Sequence, residues 1–251
     1  MLIHIQKPGT TYAAPPRKWL ANYSRRIKAG ARPLVILQPM GPVMFVFDVS
    51  DTEPEKGAPP LPVDVERPFD VRGGSVSYEL VMTIESAKRD GVLVAEREAG
   101  SQSAGAIRVV TPGKYLRVLV KKRPIEEYLH VPQRYHVLLN SSHSVETKYA
   151  TLVHELAHLY CGHLGTPNEK WWPDRSKLPT PVCEFEAEST CYLVCGRLGI
   201  ETPSAEYLAD YLVKNAEGDV PAISLERILK SVGLIEQMGR ERLRPRKARE
   251  Q

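Results

Sequence analysis

The pattern of apolar and polar positions predicts that the chain begins with a short helix and two strands. The segment PPRKWLANYSRRIKAG has the composition of a helix that stops at Gly30. Apolar runs near 34–38 and 43–49 predict two strands that form a hairpin. The proline-rich run over 54–68 predicts a linker or a long exposed connection.

The middle of the chain predicts one helix and a small sheet. In VSYELVMTIESAKRDG the apolar residues recur at helical spacing, and the segment closes at Gly91. Four strand-like runs follow, VLVAE, AIRVV, YLRVLVKK and YHVLLN. Because they lie between two helices, they predict a small, mainly antiparallel sheet.

The last part of the chain predicts four helices and a long loop. Ser144 is placed to cap the first of these helices, with Glu146 in its first turn. The next segment holds four prolines and the run WWPDR, which predicts a loop of about twenty residues. Its two tryptophans could form the wall of a cleft, but such residues more often pack a loop against a domain. CEFEAESTCYLVCGRLG, SAEYLADYLV and SLERILKSVGLIEQM predict the remaining helices. The fold class that follows is α+β.

Charge is unevenly distributed along the chain. Residues 1–47 hold seven basic side chains and no acidic one, and residues 240–251 hold six basic and two acidic ones. Either end could contact phosphates or an acidic partner. The alternative is a solvated helix face and a frayed terminus. The candidates for a contact with nucleic acid, single-stranded DNA included, are Arg17, Lys18, Arg25, Arg26 and Lys28.

These features divide the chain into three parts and favour a cytoplasmic protein. We predict a basic N-terminal region with a β-hairpin at 1–70, a larger α+β domain at 71–239 and a basic tail at 240–251. The four cysteines form no C-x-x-C pair, which predicts buried thiols in a reducing compartment. No stretch has the apolar core of a signal peptide or of a membrane span.

The segment TLVHELAHLYCGHLG carries the chemistry. Its H-E-x-x-H spacing places His154 and His158 one turn apart on a helix face, with Glu155 beside them. Zinc hydrolases present their ion and their general base in this way. With metal present, Glu155 would take a proton from the attacking water and deliver it to the leaving amine. The strand YHVLLNSSH before this helix is expected to be an edge strand that binds a peptide substrate.

A third metal ligand has to come from elsewhere in the chain. His163 would project about 140° from His158 on a continuous helix, which argues against it. Glu184 and Glu188 share a face of the next helix, so one could bind metal while the other accepts a hydrogen bond from a ligand imidazole. Glu186 points away from that face and is expected to be solvated.

Two quoted segments resemble a known family. TLVHELAHLYCGHLG followed by EFEAESTCYLVCGRLGI is similar to the ImmA/IrrE group of metallopeptidases and to the metallopeptidase domain of ArdC-type antirestriction proteins. The resemblance covers roughly 76–200. It implies a zincin-like α+β fold, a Zn²⁺ or Mn²⁺ ion and proteolysis of a bacterial regulator, often a repressor. It also implies that Glu184 is the third metal ligand and that Glu188 accepts a hydrogen bond from a ligand histidine.

The leading interpretation is a zinc-dependent endopeptidase with narrow protein substrates, such as a transcriptional repressor encoded nearby. The first alternative is a nucleic-acid-binding or antirestriction protein with a non-catalytic metal site. The second is an inactive zincin that acts as a sensor. The intact Glu155 argues against inactivity, because a purely structural site needs no general base.

Overall fold

The computed structural model describes most of the chain in two compact units. The described residues are 6–7, 10, 12–36, 43–62, 65, 70–99, 104–111, 113–212, 220–244 and 246. One unit comprises 1–70, 98–104 and 140–143, and the other comprises 71–97, 105–139 and 144–251. The predicted three-part division and the functions assigned to its parts remain predictions.

The described residues of the first unit include an α-helix of eight residues, a 3₁₀ turn at Val49–Asp51 and five short strands. The helix and the strands are β1 (Ala13–Ala14), α1 (Pro16–Tyr23), β2 (Arg25–Ile27), β3 (Leu34–Ile36), β4 (Met44–Asp48) and β5 (Thr52–Pro54). The strands form an antiparallel sheet in the order β1-β4-β3 and an antiparallel β2-β5 pair. Trp19 is fully buried and donates from Nε1 to the Phe47 carbonyl over 2.8 Å.

The prediction of a helix continuing to Gly30 was wrong. Helix α1 ends at Tyr23 because Ser24 adopts a left-handed conformation with φ 49°. Arg25–Ile27 then pairs with Thr52–Pro54 instead of continuing the helix. Part of the predicted linker at 54–68 lies outside the described residues, and its first residue ends β5.

The second unit begins with helix α2 and five strands. These are α2 (Glu79–Ala87), β6 (Val92–Arg97), β7 (Gly105–Val109), β8 (Tyr115–Lys121), β9 (Glu127–Pro132) and β10 (Tyr135–Asn140). Strands β6, β10 and β7 form a sheet in that order, with Ile107 opposite Val137 in the antiparallel β7-β10 pair. Strands β8 and β9 form a separate antiparallel hairpin.

Two expectations for these strands were wrong. The strand YHVLLN is β10, which lies between β6 and β7 and is not at the edge. Strand β9 was not predicted either, since its residues are mostly exposed and lack apolar alternation. Backbone pairing with β8 stabilises β9. The residues that make β9 a strand are therefore those of β8 and not its own.

Four helices follow, as predicted. They are α3 (Val145–Tyr160), α4 (Thr180–Gly196), α5 (Ser204–Leu212) and α6 (Leu225–Arg240). Ser144 caps α3 by accepting from the Thr147 amide over 3.2 Å. Helix α3 packs against α4, and α6 packs against both α2 and α4. None of the described helices is long and apolar enough to cross a membrane.

The long loop between α3 and α4 folds back on the end of α3. Trp172 is buried, donates from Nε1 to the Gly165 carbonyl and stacks edge-on against Tyr160. This confirms that a tryptophan packs the loop against the domain. Three of the four cysteines are buried free thiols as predicted, namely Cys161, Cys191 and Cys195, whereas Cys183 is a half-buried free thiol.

Candidate metal centre

Helix α3 directs two imidazoles toward each other from successive turns. The Nε2 atoms of His154 and His158 lie 3.2 Å apart, and both side chains are largely buried. Leu152, Leu156 and Leu159 on the same helix are fully buried and fix its orientation in the core. The helix therefore presents a fixed pair of nitrogen atoms.

Helix α4 brings a carboxylate to this pair. The Oε2 atom of Glu184 lies 3.6 Å from His154 Nε2 and 3.7 Å from His158 Nε2. Tetrahedral zinc with bonds of about 2.0–2.2 Å needs its ligand atoms about 3.3–3.6 Å apart. The three side chains thus fit a metal ion of this size.

Glu188 contacts the His154 ring at Nδ1, the nitrogen that does not face His158. Its Oε2 atom lies 2.8 Å from His154 Nδ1, and its Oε1 atom accepts from the Ser204 hydroxyl over 2.6 Å. A carboxylate can only accept here, so His154 carries a proton on Nδ1, and Nε2 is the atom at which a metal ion could take the place of a proton. Glu184 and Glu188 therefore occupy different positions in the cluster.

Glu155 lies beside this cluster and contacts the sheet. Its Oε2 atom accepts from the Ile107 amide of β7 over 2.8 Å. Burial of the carboxyl raises the pKa of Glu155 above its ordinary value, although the neighbouring histidines oppose the shift. A carboxylate with a raised pKa is suited to accept a proton and to give it back.

The charge balance of the centre favours a cation. Burial alone lowers the pKa of His154, but the carboxylates of Glu184 and Glu188 outweigh burial and raise that pKa to about 10. Burial alone would raise the pKa of Glu184, yet the two histidines and Tyr207 hold it well below its ordinary range. A positive charge among these groups is therefore stabilised.

One side chain of the centre, that of Tyr207, was not predicted from the sequence. The Tyr207 hydroxyl of α5 donates to Glu184 Oε2 over 2.8 Å, and its ring stacks edge-on against His154. Tyr207 belongs to a helix that was predicted, but helical spacing alone cannot show which neighbour its face contacts. Only the packing of α5 against α4 reveals the contact.

The predicted solvation of Glu186 was wrong. Its side chain is fully buried, and Arg175 donates to both of its oxygens over 2.6 and 2.7 Å. His163 is also buried, and it contacts His158 at Nδ1, whereas His154 faces His158 at Nε2. Its position follows from Gly162, whose φ of 89° ends the helical geometry on which the angle of 140° had been based.

The five basic candidates for nucleic-acid contact lie in the first unit. Arg25 donates to the Thr52 hydroxyl and carbonyl, Arg26 pairs with Glu53, and Lys28 donates to the Ser50 carbonyl. Arg17 and Lys18 are exposed on α1, and Lys18 lies over the Tyr12 ring. None of these contacts tests a role in binding nucleic acid.

The basic tail is only partly described, since residue 245 and residues 247–251 lie outside the described part of the chain. Arg246 donates from Nε to Asp90 Oδ1 over 2.6 Å and lies above the Trp171 and Trp172 rings. Asp90 is buried and also accepts from the Tyr160 hydroxyl. This part of the tail is therefore built into the second unit.

Comparison with known proteins identifies the segment that carries the centre. Residues 113–189 match the model of the peptidase M78 family, the IrrE N-terminal-like domain. The match includes both histidines, Glu155, Glu184 and Glu188, and it confirms the resemblance drawn from the two helices. None of the curated proteins matches the chain at a significant level.

Two solved structures are similar to the chain, both of the antirestriction ArdC protein from the R388 plasmid. The metal-free structure is 14% identical, with 96% of this chain and 82% of that chain covered and a TM-score of 0.37. The Mn(II)-bound structure is also 14% identical, with 92% and 78% covered and a TM-score of 0.28.

Proposed function

We propose that the protein is a zincin-like metallopeptidase that hydrolyses peptide bonds of a protein substrate. The observation that carries the proposal is the convergence of His154 Nε2, His158 Nε2 and Glu184 Oε2. This convergence lies in the segment that matches the peptidase M78 family. Two nitrogens and one carboxylate with Glu155 adjacent are the parts that a gluzincin requires.

The ion proposed for this centre is Zn²⁺, with Mn²⁺ as the alternative. Imidazole ligands suit zinc, whereas the carboxylate also suits manganese. When bound, the ion supplies Lewis-acid activation of a water and of a substrate carbonyl. The residues proposed to hold it are His154, His158 and Glu184, and Glu188 orients the first of these through Nδ1.

Glu155 is proposed to move the proton. Its carboxylate accepts a proton from the attacking water and then gives that proton to the leaving amine, so the residue ends in its starting state. The Ile107 amide holds one carboxylate oxygen in place at 2.8 Å. Burial keeps the pKa of the group raised, which eases the first transfer because a stronger base takes the proton from water more readily.

Strand β7 is the proposed docking edge for an extended substrate. Of the described strands in its sheet, β7 lies at one edge, and β10 is its neighbour. The Ile107 amide of this strand points to Glu155 and not to β10. An added peptide strand would gain backbone hydrogen bonds next to the general base. By its resemblance to ImmA/IrrE proteins, we propose a repressor encoded nearby as the substrate.

Binding of nucleic acid is a second candidate function, either alongside peptidase activity or instead of it. The observation in its favour is that the chain before Asp48 holds seven basic residues and no acidic residue. Arg17 and Lys18 are exposed and available for phosphate contacts. The pairing of Arg26 with Glu53 reduces the share of this charge that is free.

The test of peptidase function is the variant Glu155→Gln. We expect it to keep its metal and to cleave a co-expressed candidate repressor at least about 100-fold more slowly, the usual loss when acid–base catalysis is removed. The matched control is Glu55→Gln, which makes the same change at an exposed position of the first unit. Unchanged cleavage by Glu155→Gln would contradict the proposed role, and metal loss would show that Glu155 is a ligand.

A further inference from the structure

A line of hydrogen bonds leads from His158 into the interior of the second unit. His158 Nδ1 lies 3.0 Å from His163 Nδ1, and His163 Nε2 lies 3.0 Å from Glu186 Oε2. Arg175 closes the line by donating to both Glu186 oxygens. We refer to His163, Glu186 and Arg175 as the support chain.

The acceptor at the inner end fixes the direction of every hydrogen bond in the line. Glu186 is a carboxylate paired with Arg175, so it accepts, and His163 must carry its proton on Nε2. The Nδ1 atom of His163 is then an acceptor, and His158 must donate to it from Nδ1. His158 is left with a lone pair on Nε2, the atom that faces His154 and Glu184.

We propose that His163 is a positioning residue that presents His158 Nε2 to the metal ion, with Glu186 and Arg175 as its anchor. The proposal rests on the proposed function, since it assumes that His158 is a ligand. The two histidines of the centre would then be held in different ways. His154 is held directly by the carboxylate of Glu188, whereas His158 is held through a second histidine.

Burial makes this support difficult to replace. The His163 side chain is 3% exposed and that of Glu186 is 0% exposed, so water has little access to either group. Removal of the His163 ring would leave the Nδ1–H of His158 without its acceptor in a low-dielectric site. The His158 ring would then lose the contact that fixes both its tautomer and its orientation.

A second metal ion at the support chain is the competing explanation. The ligand atoms of Cys161, His163 and Glu186 lie close enough together to hold one. However, Glu186 already accepts from Arg175, from His163 and from the Ser224 amide. Arg175 also donates to the Cys161 carbonyl, so a fixed positive charge occupies this neighbourhood. These contacts favour the positioning role over a second cation.

The test compares two substitutions at one position, using Zn²⁺ alone as the probe. The dissociation constant of Zn²⁺ is measured by competition with a chromogenic chelator, and the melting temperature of each metal-free protein is measured in parallel. We expect His163→Leu to weaken Zn²⁺ binding by about 10-fold to 100-fold. His163→Gln should recover most of that loss, because its amide carries one acceptor and one donor.

The outcomes separate this inference from the proposed function. Tight Zn²⁺ binding by the wild type that is lost in His154→Ala, together with unchanged binding by His163→Leu, would overturn the inference alone. Binding of neither Zn²⁺ nor, in the same assay, Mn²⁺ by the wild type would overturn both. A fall in metal-free melting temperature without a change in Zn²⁺ affinity would assign His163 a merely structural role.

A measurement on the wild type covers the case in which a variant does not fold. In ¹⁵N-histidine NMR of the zinc-loaded protein, His163 should be the Nε2–H tautomer, and His158 should be the Nδ1–H tautomer. A proton on Nδ1 of His163 would overturn the proposal, because that atom could then not accept from His158.

Discussion

Glu184 and Glu188 stand one helical turn apart, yet they contact the histidine pair at different atoms. Glu184 approaches both Nε2 atoms, whereas Glu188 contacts only Nδ1 of His154. We therefore expect Glu184→Ala to lose its Zn²⁺ under a chelator challenge, since one of the three proposed protein ligands is gone. Glu188→Ala should retain Zn²⁺ with affinity lowered by about 10-fold to 100-fold.

The measurement is metal stoichiometry at increasing chelator concentration. The wild type gives the reference, and Glu55→Gln controls for the loss of a negative charge elsewhere. If Glu188→Ala lost its ion while Glu184→Ala kept it, the roles of the two glutamates would be exchanged.

The raised pKa of His154 predicts how pH acts on the metal-free protein. Its folded value of about 10 exceeds the unfolded value of about 6.5, so the protonated ring stabilises the fold. This contribution is fully present below about pH 6.5 and is lost as pH rises toward about 10. The difference in free energy of unfolding between the wild type and His154→Gln should therefore be largest near pH 6.5, at about the unfolded pKa.

Denaturant titrations of both metal-free proteins across that range measure this difference. Subtracting the variant removes the other groups that titrate there. A difference that stays constant, or that grows as pH rises, would contradict the raised pKa.

Single residues show which parts of the centre the sequence could reveal. The spacing of His154 and His158 is local, so helical geometry alone was enough to pair them. The burial of Glu186 was not predicted, because it depends on the loop that folds back over this side of the helix. Arg175 of that loop pairs with the Glu186 carboxylate. Tyr207 was missed for the same reason, because its partner Glu184 lies in another helix.

Elements were predictable where the deciding contacts are local. The start of α3 was correctly placed, because the Ser144 cap lies within the segment itself. Strand β9 was missed and β10 was wrongly assigned to an edge, because strand order depends on pairing between distant segments. The confirmed part of the fold is thus its mixed α+β class with small sheets and C-terminal helices.

The turn after α3 gives a prediction at the scale of elements. Gly162 has a φ of 89°, and a Cβ atom there would lie 2.1 Å from the Pro173 carbonyl oxygen. This turn brings the loop back onto α3, with the Arg175 amide donating to the Gly162 carbonyl. We expect Gly162→Ala to lower the free energy of unfolding by about 1–3 kcal/mol or more, since both the backbone and the contact are strained.

Gly233→Ala is the matched control. Gly233 lies inside α6, and no atom outside the helix backbone comes within 4 Å of a Cβ built there. This change should raise the free energy of unfolding by up to about 1 kcal/mol, because alanine favours the helix. Denaturant titration of the two variants measures the contrast, and equal effects would contradict the assigned role of the turn.

At the scale of the whole molecule, a role of the basic N-terminal residues in binding nucleic acid has to be tested independently of the candidate metal centre. Part of the N-terminal excess is used within the first unit, as in the Arg26 pair with Glu53. Deleting residues 1–47 would also remove Trp19 from the core of that unit. Point substitutions that leave the core intact therefore test nucleic-acid binding more sharply than deletion does.

Arg17 and Lys18 are the exposed basic pair to change. If they contact phosphates, Arg17→Glu with Lys18→Glu should weaken binding of a single-stranded DNA oligomer by at least about 10-fold. The dependence of log affinity on log salt concentration should become shallower by about 1–2, because fewer counterions are released. Fluorescence anisotropy between about 50 and 200 mM salt measures both quantities.

The control is Lys122→Glu with Arg123→Glu, which reverses the same two charges at exposed positions of the second unit. If DNA binding depends on the surface of α1, this control should bind with nearly the affinity and salt slope of the wild type. An equal loss in both double variants would mean that overall charge, and not α1, governs binding. No measurable binding by the wild type would remove nucleic acid as a partner, and the proposed peptidase centre would stand without it, because its residues all lie in the second unit.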